Sequence, residues 1–217
     1  MRCAKGTERP EKLVPDSDDG TARIRCMNSN DASSDYPLQL LRHPATPAPV
    51  VSTIEARALF RSDGFLELAF RLRGDMARLL IPTLPTEDRK LLWEHTCFEA
   101  FVASVSDTAY REFNFSPSGQ WASYAFSDYR LADETAAMID SPQITSRLFA
   151  GRMELEAVIF PDALLAGSRK LLLGLSAVVE AADTVDGSHS YWALRHPSPR
   201  PDFHHRNSFA FELVKPR

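Results

Sequence analysis

Leu66, Leu68, Phe70 and Leu72 alternate with Glu67, Ala69, Arg71 and Arg73. A period of two places the apolar side chains on one face of an extended chain, so the pattern predicts a strand over 65–73. Asp63-Gly64 just before it is a hairpin signal, which pairs 50–60 with 65–73. The alternation recurs at Met153, Leu155, Ala157 and Ile159, with Ala150-Gly151 as the turn from a strand at 143–149. Leu171 to Val179 is apolar on both faces, as a central strand is. Further strands are expected at 76–81, 96–104, 110–116, 120–127 and Ser208 to Val214, the last burying Phe209, Phe211 and Leu213. Residues 128–142 read as a loop with a helical turn around Glu134–Met138, and Pro161 opens a second helical turn to Leu165. About ten short strands broken by frequent turns predict an all-β fold, a two-layer antiparallel β-sandwich.

The first 36 residues are polar and charged, with little apolar periodicity. They are expected to form a disordered tail, with one β domain over 37–217. Met27 inside the tail offers an alternative start of translation to Met1. The 217 residues are 44% hydrophobic, enough for a sizeable core. A net charge of −4 gives no electrostatic footprint for nucleic acid or an anionic membrane. No apolar run approaches the about 20 residues that span a bilayer, and no secretory leader is read at the N-terminus. Cys3, Cys26 and Cys97 form neither a disulfide framework nor a zinc pattern. Cys97 reads as a small buried hydrophobe, and a cytoplasmic, reducing compartment is expected.

The densest chemistry lies between Trp93 and Tyr124. Glu99 sits inside an apolar strand, where a carboxylate is costly unless something pairs with it. Arg111, one strand away, is the expected partner. Pro117-Ser118-Gly119, flanked by aromatics, marks a hairpin whose second arm opens with Trp121. Trp93, Glu99, Arg111, Asn114 and Trp121 would supply an aromatic platform and polar groups for a ligand, with Tyr191 and Trp192 behind them. The plainer readings are tryptophans packed in the core and a Glu99–Arg111 ion pair that fixes register.

The run Leu92-Trp93-Glu94-His95-Thr96-Cys97-Phe98-Glu99-Ala100-Phe101-Val102, followed by Tyr110-Arg111-Glu112-Phe113-Asn114-Phe115-Ser116-Pro117-Ser118-Gly119, resembles the family-9 carbohydrate-binding modules and the wider DOMON group. The ending from Tyr191 to His204 resembles a bacterial DOMON-like subgroup. The resemblance covers about residues 38–214 and implies a jelly-roll-like sandwich that binds sugars in some members and haem b in others. Trp93 matches the Trp before the acidic strand of the sugar-binding modules.

The expected function is therefore non-catalytic binding of a carbohydrate or sugar-like small molecule or oligosaccharide. A haem or redox module, with His95, His196 or His204 as ligands, is the alternative, and a protein-interaction domain is a third. No Met stands where the group's haem ligand would be expected, and no His or Cys spacing marks a metal site. Glu94, Glu99 and Glu112 could in principle form a glycosidase-like pair, but no nucleophile elbow or phosphate loop is present.

Overall fold

In a computed structural model, residues 24–25, 36–48, 50–85, 89–160, 168–182 and 188–216 are described. Thirteen strands run through them: β1 (Ile24–Arg25), β2 (Leu38–Arg42), β3 (Val51–Phe60), β4 (Leu66–Gly74), β5 (Cys97–Ser104), β6 (Tyr110–Phe115), β7 (Trp121–Asp128), β8 (Leu131–Ala132), β9 (Gln143–Phe149), β10 (Arg152–Ile159), β11 (Lys170–Ala181), β12 (Ser188–Ala193) and β13 (Phe211–Val214). They form the expected two-layer β-sandwich. The back sheet runs β2-β3-β4-β10-β9, and the front sheet runs β8-β7-β6-β5-β11-β12. All pairings are antiparallel except the short one between β1 and β13.

β2 joins the layers. Leu38 to Leu40 pair with β3, whereas Leu41 and Arg42 pair with β12. A strand that changes sheet in this way turns the corner of a sandwich. β11 carries two neighbours along one edge, β13 over Lys170–Leu173 and β12 over Ser176–Ala181. The chain between β12 and β13 leaves through that gap and lies over the outer face of the front sheet.

The alternating positions read from the sequence fill the space between the sheets. Leu66, Leu68, Phe70 and Leu72 on β4, and Met153, Leu155, Ala157 and Ile159 on β10, meet Phe98, Ala100 and Val102 on β5. The Phe70 and Phe98 rings lie 5.0 Å apart across the interface. Fully burying side chains of this size stabilises by about 1.5–3 kcal/mol each.

A second, smaller core sits outside the front sheet. There Phe101, Ala103, Tyr110, Leu172 and Val178 are covered by Phe203 and Phe209 of the 194–210 segment. β5 is consequently buried along its whole length, on both faces.

Several elements differ from expectation. The stretch 76–81 is a single 3-10 turn, Met76–Arg78, capped by the Asp75 carboxylate, followed by an isolated bridge from Leu79 to Ala181. The last strand starts only at Phe211, because 206–208 forms another 3-10 turn and Phe209 faces the outer core. Within the expected tail, Ile24–Arg25 pair with Phe211 and Glu212, and Tyr36 is buried. Residues 1–23 and 26–35, Met27 among them, and the helical turn expected at 161–165 lie outside the described residues.

Candidate functional site on the front sheet

Cross-strand register sets out the outer face of the front sheet in rows. One row reads Ala122, Asn114, Glu99, Ser176 and Ala193, from β7 to β12. The next reads Tyr124, Glu112, Phe101 and Gly174. Above these rows opens a cavity of about 520 Å³ lined by Trp93, Glu99, Phe101, Glu112, Tyr124 and Tyr191, among others. The covering segment contributes Pro201, Phe203 and His204, and the turn between β7 and β8 contributes Arg130.

Glu99 and Glu112 are diagonal neighbours on β5 and β6 and form the acidic part of the lining. They are only 3% and 7% exposed. Ser176 Oγ donates to Glu99 Oε2 at 3.4 Å, and Asn114 Nδ2 donates to Glu112 Oε1 at 2.7 Å. Burial raises the pKa of Glu99 well above the usual carboxylate range, and the neighbouring Glu112 raises it further. Burial also raises Glu112, though the Asn114 hydrogen bond and Arg130 oppose the rise. Burial and the closeness of the two groups thus favour a proton held within the pair.

A polar chain fixes the rim. The Arg130 backbone N–H donates to Tyr110 Oη at 3.0 Å. Tyr110 can therefore give its own proton to His204 Nδ1, 2.9 Å away. That leaves the His204 proton on Nε2, which faces Glu112 Oε2 at 3.6 Å. Burial chiefly, with Arg130, brings the His204 pKa down to about 4, so the ring is neutral at pH 7. Arg130 itself is held by Asp202, Nη2 to Oδ1 at 3.1 Å.

Of the sequence candidates, Trp93, Glu99 and Tyr191 line the cavity, and Asn114 supports it from beneath through Glu112. Trp93 is 48% exposed. The other three candidates lie elsewhere. Trp121 packs on the core between the sheets, and Trp192 is buried there with its indole N–H on Ser190 Oγ. Arg111 is not the partner of Glu99. It stands opposite Val102, whose side chain faces the inner core, and its guanidinium donates to the Ala137 carbonyl.

Parity could have revealed this. Arg111 and Asn114 are three residues apart, so a strand turns them to opposite faces, while Glu112 shares the face of Asn114. The same count brings Tyr124 and Phe126 to the site. Arg130, Phe203 and His204 arrive on loops, where no period announces a face.

The three histidines considered for haem do not converge. His95 Nδ1 bonds Glu180, His196 Nε2 bonds the Leu41 carbonyl, and only His204 lines the cavity. Two buried carboxyl groups would also oppose the haem propionates. These residues do not fit haem b. Among the described residues, no group of three or more His, Cys, Asp or Glu is placed to hold a metal ion.

A scan against protein-family models finds no match, and a search of curated proteins finds none. Solved structures do match. A protein of Bacteroides uniformis proposed to bind carbohydrate superposes with a TM-score of 0.55 at 17% identity, covering 82% of this chain and 84% of that one. A family-9 carbohydrate-binding module from Caldicellulosiruptor kristjanssonii, in complex with glucose, gives 0.53 at 11% identity over 82% and 83% of the two chains. The family-9 module of the same organism in complex with cellotriose gives 0.54 at 12% identity over 84% of each. At such identities the likeness shows the fold: a β-sandwich of the family-9 carbohydrate-binding-module type.

Proposed function

We propose that the protein is a non-catalytic carbohydrate-binding module that takes a small sugar, or the end of an oligosaccharide, on the outer face of its front sheet. The observation that carries this reading is the cavity itself: a concave site of about 520 Å³ that combines aromatic walls with buried hydrogen-bonding groups at one place. Trp93, Tyr124 and Tyr191 offer flat apolar surface for the C–H faces of a pyranose ring. The Glu99–Glu112 pair accepts hydrogen bonds and, while it holds a proton, also donates one, and His204 Nε2–H is a donor beside them. Two neighbours of the same fold were solved with glucose or cellotriose bound. The groups present orient a ligand and need no reaction step.

Tryptophan fluorescence tests the reading. Of the three tryptophans, Trp93 alone lines the cavity. A panel of monosaccharides and short oligosaccharides should quench emission with at least one member. Trp93→Ala should weaken that binding by about 1–3 kcal/mol, the range for an aromatic anchor, with little loss of stability. A panel without any binding, joined to unfolding of Trp93→Ala, would mean that Trp93 is only a packing residue.

A further inference from the structure

Glu99 and Glu112 are more acidic surface than a neutral sugar calls for. Two carboxyl groups stand side by side on β5 and β6, each more than nine-tenths buried, and both line the cavity. Cys97 on β5, Tyr110 and Asn114 on β6, Ser176 on β11 and Tyr191 on β12 surround them, and none of these is a cation. Arg130 reaches them from the β7–β8 turn, but its guanidinium is engaged by Asp202. His204, over Glu112, is neutral at pH 7. Among the described residues, Arg130 is therefore the cation that bears on the pair, and because it is shared with Asp202 it offsets the two carboxyl groups only in part.

The walls suit a positive charge as well. Trp93, Tyr124, Phe126, Tyr191 and Phe203 all line the same cavity, and the π-faces of such rings attract an ammonium group. A neutral ligand can exchange hydroxyl hydrogen bonds with the pair but does nothing to favour ionisation of both groups. A cation does.

We infer that the cavity takes an amino sugar, with its ammonium group against Glu99 and Glu112 and its ring against the aromatic walls. The inference rests on the carbohydrate reading above and narrows it to a charged class. It carries a second consequence. Burial and mutual repulsion favour a proton on the Glu99–Glu112 pair, and an ammonium beside it favours the ionised form. Binding therefore expels a proton.

The experiment is calorimetric titration of the full chain with glucosamine, N-acetylglucosamine and glucose at about pH 6, where a free glutamate is ionised. Repeating it in buffers of different ionisation enthalpy counts the protons released. Glucosamine should bind about tenfold or more tighter than glucose, as expected for hydrogen bonds to a charged group. N-acetylation removes the charge and should remove the preference. Glu99→Gln and Glu112→Gln should each bring the ratio between glucosamine and glucose toward one. Proton release should accompany glucosamine and not glucose, a readout that needs no variant to fold. Glucose bound as tightly as glucosamine, without proton release, overturns the inference and leaves the carbohydrate reading standing. No binding of any sugar, amino sugars included, overturns both.

Discussion

Glu99 is the residue at which burial and charge conflict most. Its folded pKa lies above its ordinary value of 4.5, so the folded chain binds the proton more tightly than the unfolded chain. The sign follows by linkage: this group favours folding most below pH 4.5, and stability is lost as pH rises toward the folded pKa. Glu99→Gln keeps the shape of the protonated acid and cannot ionise. Urea denaturation from about pH 4 to 8 should show the variant gaining on the parent chain as pH rises. A difference that stays constant across that range would refute the assignment. His204 works in the opposite direction. Its pKa is lowered from 6.5 to about 4, so it favours folding above 6.5 and that contribution is lost as pH falls through 4. Titration of its ring protons by nuclear magnetic resonance should give a midpoint near 4, and a midpoint near 6.5 would mean that the ring is solvated.

β11 shows how elements build the site. Its central Gly174 stands in the row of Phe101 and Glu112, and a Cβ there would lie 2.8 Å from Cδ1 of Phe209. The missing side chain lets the Phe209 ring lie on the sheet, stacked on Phe101 at 5.6 Å. Gly174→Ala should push that ring away and cost about 1–3 kcal/mol, as overpacking does, and Phe209→Leu in the same chain should recover part of the loss. A Gly174→Ala chain as stable as the parent by thermal melting would show that the ring moves aside freely.

The same geometry explains what could be read from the sequence. β4 and β10 have one buried face and one solvated face, so alternation gave both their existence and their direction. β5 and β6 are buried on nearly every side because the 194–210 segment covers them. Their apolar pattern therefore does not say which side faces the other sheet. Trp121 on β7 and Trp192 on β12 are aromatics in strands next to loops, a position that suits a ligand platform as well as a core, and both pack on the inner core. Glu99 was legible as an anomaly, while its true neighbours, Glu112 and Ser176, needed the cross-strand register.

At the scale of the whole molecule, Tyr36 and the Ile24–Arg25 pair make contacts within the stretch whose polar character suggests a tail. Tyr36 is only 8% exposed, and the Arg71 guanidinium lies 3.9 Å from its ring centre. Arg71 in turn bonds Glu154 at 3.1 Å, so one aromatic ring covers a charged pair that ties β4 to β10. A cation held over a ring in a partly desolvated setting contributes about 0.5–2 kcal/mol. Tyr36→Ala should therefore lower the melting temperature by a few degrees, at about 2–4 °C per kcal/mol for a domain of this size. Two shortened chains separate this ring from the residues before it. A chain beginning at Asp35 loses the β1–β13 pairing, a ladder of two residues, and should melt within about 1 kcal/mol of the full chain. A chain beginning at Leu38 loses Tyr36 as well and should melt lower again, by the same interval as Tyr36→Ala. Equal melting of the two shortened chains would place the domain boundary at residue 37, as the hydropathy pattern has it, and would reduce the Tyr36–Arg71 contact to a solvent-exposed association with no bearing on stability.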